Sequence, residues 1–251
     1  MNRKWMLRLA ICVMVLALLA ACNAPQLALP TATTAPTATP EPTAIPQLPA
    51  TVESILAQSA EAMKQVQSMQ FTYTTTVEAA GQTIKTDGQG MFKKPDQMYM
   101  KLNAMGQTIE MVMLEPGKVY LKMPGSDKFT LSTPGTAGQE PVAPDIMAQT
   151  NIADFASGLT LDGEETLDGV PTYVISYSMD IGKYLKSDPS SAAIFDPAKT
   201  TGDGKVWIDK ETGRMLKMEM NLGMELAGNK IGTVTEMSFT NFNEPVEIPQ
   251  P

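Results

Sequence analysis

From Phe71 onward, apolar residues fall on alternate positions, and short glycine-containing turns interrupt them at intervals of strand length, a pattern that commits most of the chain to an antiparallel sheet. Phe71, Tyr73, Thr75 and Val77 share one face of the first such run, and Thr72, Thr74 and Thr76 take the other. Ala80-Gly81, Asp87-Gly88, Met105-Gly106, Pro116-Gly117 and Pro124-Gly125 punctuate the next stretch, so hairpins fit better than crossover helices. Gly88 and Gly90 interrupt what otherwise reads as one strand and predict a bulge or a bend where the sheet curls.

A helix precedes these strands. Thr51 is placed to cap it, Glu53 lies in its first turn, and Val52, Ile55, Leu56, Met63 and Val66 recur at helical spacing. Beyond the strands, Gly and Pro between Thr133 and Pro144 mark a loop, and Asp145 to Phe155 has the pattern of a short helix. A further hairpin is expected around Asp168-Gly169, from Thr160–Thr166 to Thr172–Met179. Ile181 to Phe195 has helical patches broken by Pro189, suited to a lid. The final strands are expected at Lys205–Lys210, Met215–Leu222 and Thr233–Phe242.

Within the strands, methionine occupies positions usually given to Val or Ile: Met98 and Met100, Met111 and Met113, Met218 and Met220, and Met237 near Phe239. Alternate residues point to one side of a strand, so adjacent strands bearing such pairs present a continuous face of flexible thioethers. A face of that kind conforms to an irregular apolar guest such as an acyl chain. The same pattern also suits methionines that simply pack a curved sheet onto the helix before it.

The chain contains no histidine, which excludes Ser-His-Asp and Cys-His catalysis and histidine-ligated metals. Glu164 with Glu165, and Asp209 with Glu211, lie beside turn glycines and read as solvated turn residues rather than paired catalytic carboxylates. Asp196, Asp203 and Asp209 lack the spacing of a calcium loop, and no serine sits in a nucleophile elbow. Trp207, between Val206 and Ile208, reads as a strand aromatic packed under a helix. Neither a metal, nor a cofactor, nor an enzymatic activity is expected.

Arg3, Lys4 and Arg8 precede an apolar run, Leu9 to Ala21, that is too short to span a bilayer comfortably and suits an export signal. It ends in Leu19-Ala20-Ala21-Cys22. That tetrad resembles the bacterial lipoprotein signal, which implies a diacylglyceryl group on Cys22 and cleavage before it. An uncleaved anchor, or an ordinary signal cut nearby, also exports the domain. Removing the leader takes away three basic residues and no acidic ones, so the net charge moves from -8 to -11. An acidic chain repels phosphate backbones, so nucleic acid is not an expected partner. Cys12 leaves with the leader and Cys22 is modified, so no internal disulfide is available. Residues 23–50 are rich in Pro, Thr and Ala; they read as a semi-extended tether reaching some 85 Å at most, or as a glycosylated stalk.

Three stretches carry a wider resemblance: ILAQSAEAMKQVQSMQFTYTTTVE, LDGEETLDGVPTYVISYSMD, and GKVWIDKETGRMLKMEM followed by TVTEMSFTNFNEPVEIP. Together they resemble the LppX/LprG-type lipoproteins and, more distantly, the LolA and LolB carriers. The resemblance implies a mainly antiparallel α+β fold, an open curved half-barrel whose helices cover an apolar cavity for acylated lipids or lipoprotein acyl chains. The expected organisation is a signal peptide at 1–21, a lipidated N-terminus and linker at 22–50, and one half-barrel domain at 51–251. The expected protein is monomeric and anchored at the extracytoplasmic face of the cell membrane. It binds acyl chains and carries or shields them, with an envelope transporter as a candidate handover partner. An envelope scaffold with a filled barrel is the alternative.

Overall fold

The structure is a computed structural model that describes residues 51–116, 118–132, 146–187, 196–226 and 228–251. Cys22, the tether, the loop at 133–144 and the Pro189 segment lie outside the described residues. Gln47–Pro251 forms a compact unit by itself.

Helix α1 spans Val52–Lys64. Thr51 caps it as its sequence predicts: the Thr51 side chain accepts a hydrogen bond from the Ser54 amide, and the Ser54 hydroxyl donates to the Thr51 carbonyl at 2.8 Å. Ile55, Leu56, Ser59 and Met63 form its buried face.

Eleven strands follow among the described residues: β1 Ser68–Ala79, β2 Gln82–Lys93, β3 Gln97–Ala104, β4 Gln107–Glu115, β5 Lys118–Lys122, β6 Thr130–Leu131, β7 Ala156–Leu167, β8 Val170–Met179, β9 Thr200–Asp209, β10 Met215–Leu226 and β11 Asn229–Thr240. Every pairing is antiparallel, in the order β6-β5-β4-β3-β2-β1-β11-β10-β9-β8-β7. Each strand therefore neighbours the next in sequence except at one place. β1 closes onto β11, while β6 and β7, consecutive along the chain, form the two free edges. The sheet is thus the open antiparallel half-barrel that was expected.

The segment between β6 and β7 includes α2, Ile146–Thr150, and a 3-10 turn at Ile152–Asp154, so the predicted helix ending near Phe155 is two short pieces. α3 spans Ile181–Ser187. A second 3-10 turn, Pro197–Lys199, leads into β9 and is capped by the Asp196 carboxylate, which accepts from the Ala198 amide. α1 packs on the first 3-10 turn, on α2 and on β7, and α3 packs on β9 and on the same 3-10 turn. The core lies between these helices and one face of the sheet, here called the inner face.

Two expectations require correction. β1 pairs with β2, and β2 with β3, without any register shift, so of the bulge or bend expected at Gly88 and Gly90 the bulge is absent. They lie opposite Tyr73 and Phe71, whose rings occupy the space that a side chain would need. The irregularities fall elsewhere, between Met113 and Glu115, between Met215 and Lys217, and at two points in β7. β9, β10 and β11 also extend beyond their predicted limits, because Gly223–Leu226 pairs with Asn229–Gly232 and β9 begins at Thr200. Phe242 lies just outside β11, with the Arg214 guanidinium 5.4 Å from its ring centre.

Candidate functional site

The register places all eight cavity candidates on the inner face. Met98 stands opposite Met113, in a row continued by Phe92 and Met69. The next row runs Leu121, Met111, Met100, Gly90, Phe71, Phe239. A third crosses nine strands: Ile109, Leu102, Gly88, Tyr73, Met237, Met218, Val206, Ile175 and Leu161. Met220 belongs to a fourth row, with Thr75 and Thr235 on one side and Gly204 and Tyr177 on the other. Strand alternation and register therefore assemble the methionines of four strands, β3, β4, β10 and β11, into one surface.

Met98, Met100, Met111, Met218, Met220, Met237 and Phe239 are buried in the core, and Met113 is half-buried against it. They touch the helix side of the molecule through the same core that contains Ile55, Leu56, Ile152 and Phe155. Toward the β1–β2 turn the inner face becomes more accessible: Val77 and Ile231 are half-buried and Ile84 is exposed.

The described residues include two surface depressions that none of the eight candidates lines. One, of about 170 Å³, is bordered by Gln70, Gln89, Tyr99 and Thr240 and reaches Phe71 and Gly90 of the second row. The other, of about 340 Å³, lies where the β3–β4 turn meets the end of β5, between Gln107, Glu110, Lys122 and Pro124.

Sequence reading did not single out the aromatic–glycine pairs that shape this face. A Cβ on Gly88 would meet the Tyr73 ring at 2.6 Å and the Lys101 carbonyl oxygen at 2.5 Å. One on Gly90 would strike the Phe71 ring, and one on Gly204 would strike the Tyr177 phenol. Glycine therefore lets each ring lie flat across the adjoining strand. Burial, with a smaller effect from Asp87, pushes the Tyr73 hydroxyl up to about 12, so it stays protonated.

The outer face is polar and braced by charge. Glu110 accepts a hydrogen bond from the Tyr99 hydroxyl at 2.8 Å and pairs with Lys122 at 3.1 Å. The Tyr99 hydrogen bond, assisted by Lys122, holds the Glu110 carboxyl below its ordinary range. A depressed carboxyl stabilises the fold above its unfolded pKa, and that contribution is lost as pH falls through the folded value. Tyr99→Phe should therefore raise the Glu110 pKa toward the ordinary carboxylate value in an NMR titration. It should cost about 1 kcal/mol at neutral pH, with a gap from wild type that narrows on acidification.

Trp207 lies on this outer face rather than under a helix. Its indole Nε1 donates to Glu165 at 2.8 Å, and the Lys217 ammonium sits 4.8 Å from its ring centre. Val206 and Ile208 take the inner positions, so alternation sends Trp207 the other way. Glu164 and Glu165 belong to β7 rather than to a turn. Glu164 pairs with Lys210 at 2.6 Å, whereas Glu165 serves Trp207. Asp209 accepts from the Glu211 amide and the Thr212 hydroxyl, closing the β9–β10 turn. These carboxylates have structural partners. Among the described residues no group of three or more His, Cys, Asp or Glu is arranged to hold a metal.

No protein-family model matches the sequence, and no curated protein matches it. Among solved structures the chain is similar to the lipoprotein LppX of Mycobacterium tuberculosis, at 15% identity over 79% of this chain and 98% of that one, with a TM-score of 0.48. It is similar to LprF from Mycobacterium bovis at 16% identity, 80% and 96% coverage and a TM-score of 0.49. It is also similar to a LolA superfamily protein from Nitrosomonas europaea at 15% identity, 79% and 95% coverage and a TM-score of 0.30. The open antiparallel sheet that the sequence resemblance implied is the one observed.

Proposed function

We propose that the chain is an extracytoplasmic lipoprotein, anchored through Cys22, that takes acyl chains of lipids or lipoproteins between its helices and the inner face of its sheet and carries or shields them. The observation that carries this function is the register: methionines from β3, β4, β10 and β11 converge on one apolar face. Since those methionines are packed together, a guest enters by parting the helices from the sheet and re-rotating unbranched side chains. Thioether chains adapt to that more readily than branched ones. Each methylene removed from water contributes about 0.8 kcal/mol, so a partly enclosed acyl chain binds without any charged site. The anchor keeps this face near its lipid source, and two or more acyl chains make that attachment durable.

One observation favours the alternative, an envelope interaction module with a filled barrel: seven of the eight candidates are buried in the core. Native mass spectrometry and lipid extraction of Gln47–Pro251 separate the two. Co-purifying lipid, or uptake from vesicles, is the expected result; a chain that carries none and takes up none is an interaction module. In the full chain, Cys22→Ala should move the protein from the membrane to the soluble fraction, still folded and still able to bind lipid. Loss of folding on that change would contradict the anchored-domain scheme.

A further inference from the structure

Among the described residues, two buried side-chain hydroxyls lack a hydrogen-bond partner, and one of them lies in the methionine layer. Tyr177, on β8, is 2% exposed, and its hydroxyl is fully buried with no hydrogen bond. It stands opposite Gly204, and Gly204 stands opposite Met220, so the phenol occupies the methionine face itself. Gly204 makes this placement feasible: a Cβ there would collide with the phenol and lie 2.5 Å from the Glu219 carbonyl oxygen. The edge of the Phe155 ring, with centroids 6.2 Å apart, restrains the tyrosine from the helix side. Ser59, on the buried face of α1, also has an unpartnered buried hydroxyl. α1 packs on β7 and on the 3-10 turn that leads to Phe155. Two orphaned hydroxyls therefore lie in the same helix–sheet region.

A buried hydroxyl without an acceptor is costly, and a fold that needed only packing would be served as well by phenylalanine at 177. Burial drives the Tyr177 pKa far upward, with Tyr184 and Asp203 adding to the rise, so the group remains a donor. Burying a free carboxylate in this apolar layer would be costly, which favours a neutral acceptor. A guest that suits this layer is apolar along its length and carries a neutral carbonyl.

We propose that Tyr177 is a ligand-specifying residue whose hydroxyl donates a hydrogen bond to the ester carbonyl of an acyl-ester lipid lodged between the helices and the inner face of the sheet. This assignment rests on the carrier function above. The test uses Gln47–Pro251, dipalmitoyl glycerol and its dihexadecyl ether analogue, which has the same chains without the carbonyls. Each displaces a fluorescent acyl probe from wild type and from Tyr177→Phe, with thermal melting to confirm the fold of the variant. Wild type should prefer the ester about three- to tenfold. Tyr177→Phe should abolish that preference by losing ester affinity while holding the ether as before. Equal affinities in wild type, or a preference that survives Tyr177→Phe, would overturn the assignment and leave the carrier function standing. Binding of neither lipid by wild type would overturn both. The wild-type comparison decides the matter even where the variant melts early.

Discussion

Gly90→Val should destabilise the domain by about 3 kcal/mol, at the upper end of overpacking costs. Gly90 lies between Phe71 on β1 and Met100 on β3. A Cβ there strikes the Phe71 ring and also approaches the Tyr99 carbonyl oxygen at 2.7 Å. The ring could swing away if it were alone, but it is fully buried, and the carbonyl belongs to the paired backbone of β3. Relief therefore requires the strands to move apart. For a unit of this size the expected fall in melting temperature is about 6–12 °C, measured by calorimetry or circular dichroism. Gly232→Val supplies the contrast, because no atom lies within 4 Å of its added Cβ. It should change stability by less than about 0.5 kcal/mol. Equal effects at the two sites would contradict the aromatic–glycine account of how the inner face is packed.

Met218→Ala should cost about 3 kcal/mol by urea denaturation of the lipid-free domain, because it empties a position at the centre of the nine-strand row. Met218 is fully buried between Met237 and Val206. Met218→Leu keeps the volume and should cost less than about 1.5 kcal/mol. If the alanine variant proved neutral, Met218 would not be packed as described and the row would not be continuous.

Much of this arrangement is legible in the sequence wherever a tight turn sets the register. Two-residue turns at Ala80-Gly81 and Met105-Gly106 place Phe71 opposite Gly90, Tyr73 opposite Gly88, Met100 opposite Met111, and Met98 opposite Met113. The first two pairs could thus have been read as rings seated on glycines rather than as a bulge. The cap at Thr51 and the helical spacing after it define α1 equally well.

Contacts distant along the chain leave no such local signal. The β1–β11 closure brings Tyr73 beside Met237, and nothing near either residue encodes it. Tyr177 and Gly204 are joined through a long connection, so their pairing cannot be counted from a turn. Gly223–Leu226 and Asn229–Gly232 are poor in strand formers, yet they pair with each other and are flanked by β9 and β1. The facing of Trp207 is not legible locally because Val206, Trp207 and Ile208 are all apolar; periodicity alone gives no inward side, and the Glu165 acceptor and the Lys217 cover that settle it come from other strands.

The most direct test of the central claim is photocrosslinking of Gln47–Pro251 with a palmitoyl lipid bearing a diazirine near the end of its chain, followed by peptide mapping. Acyl chains held between helices and sheet should label Met100, Met111, Met218, Met220 and Met237, together with the facing residues of α1. Labelling confined to the outer face, around Gln70, Gln89 and Tyr99, or no labelling above that of an unrelated protein, would contradict it.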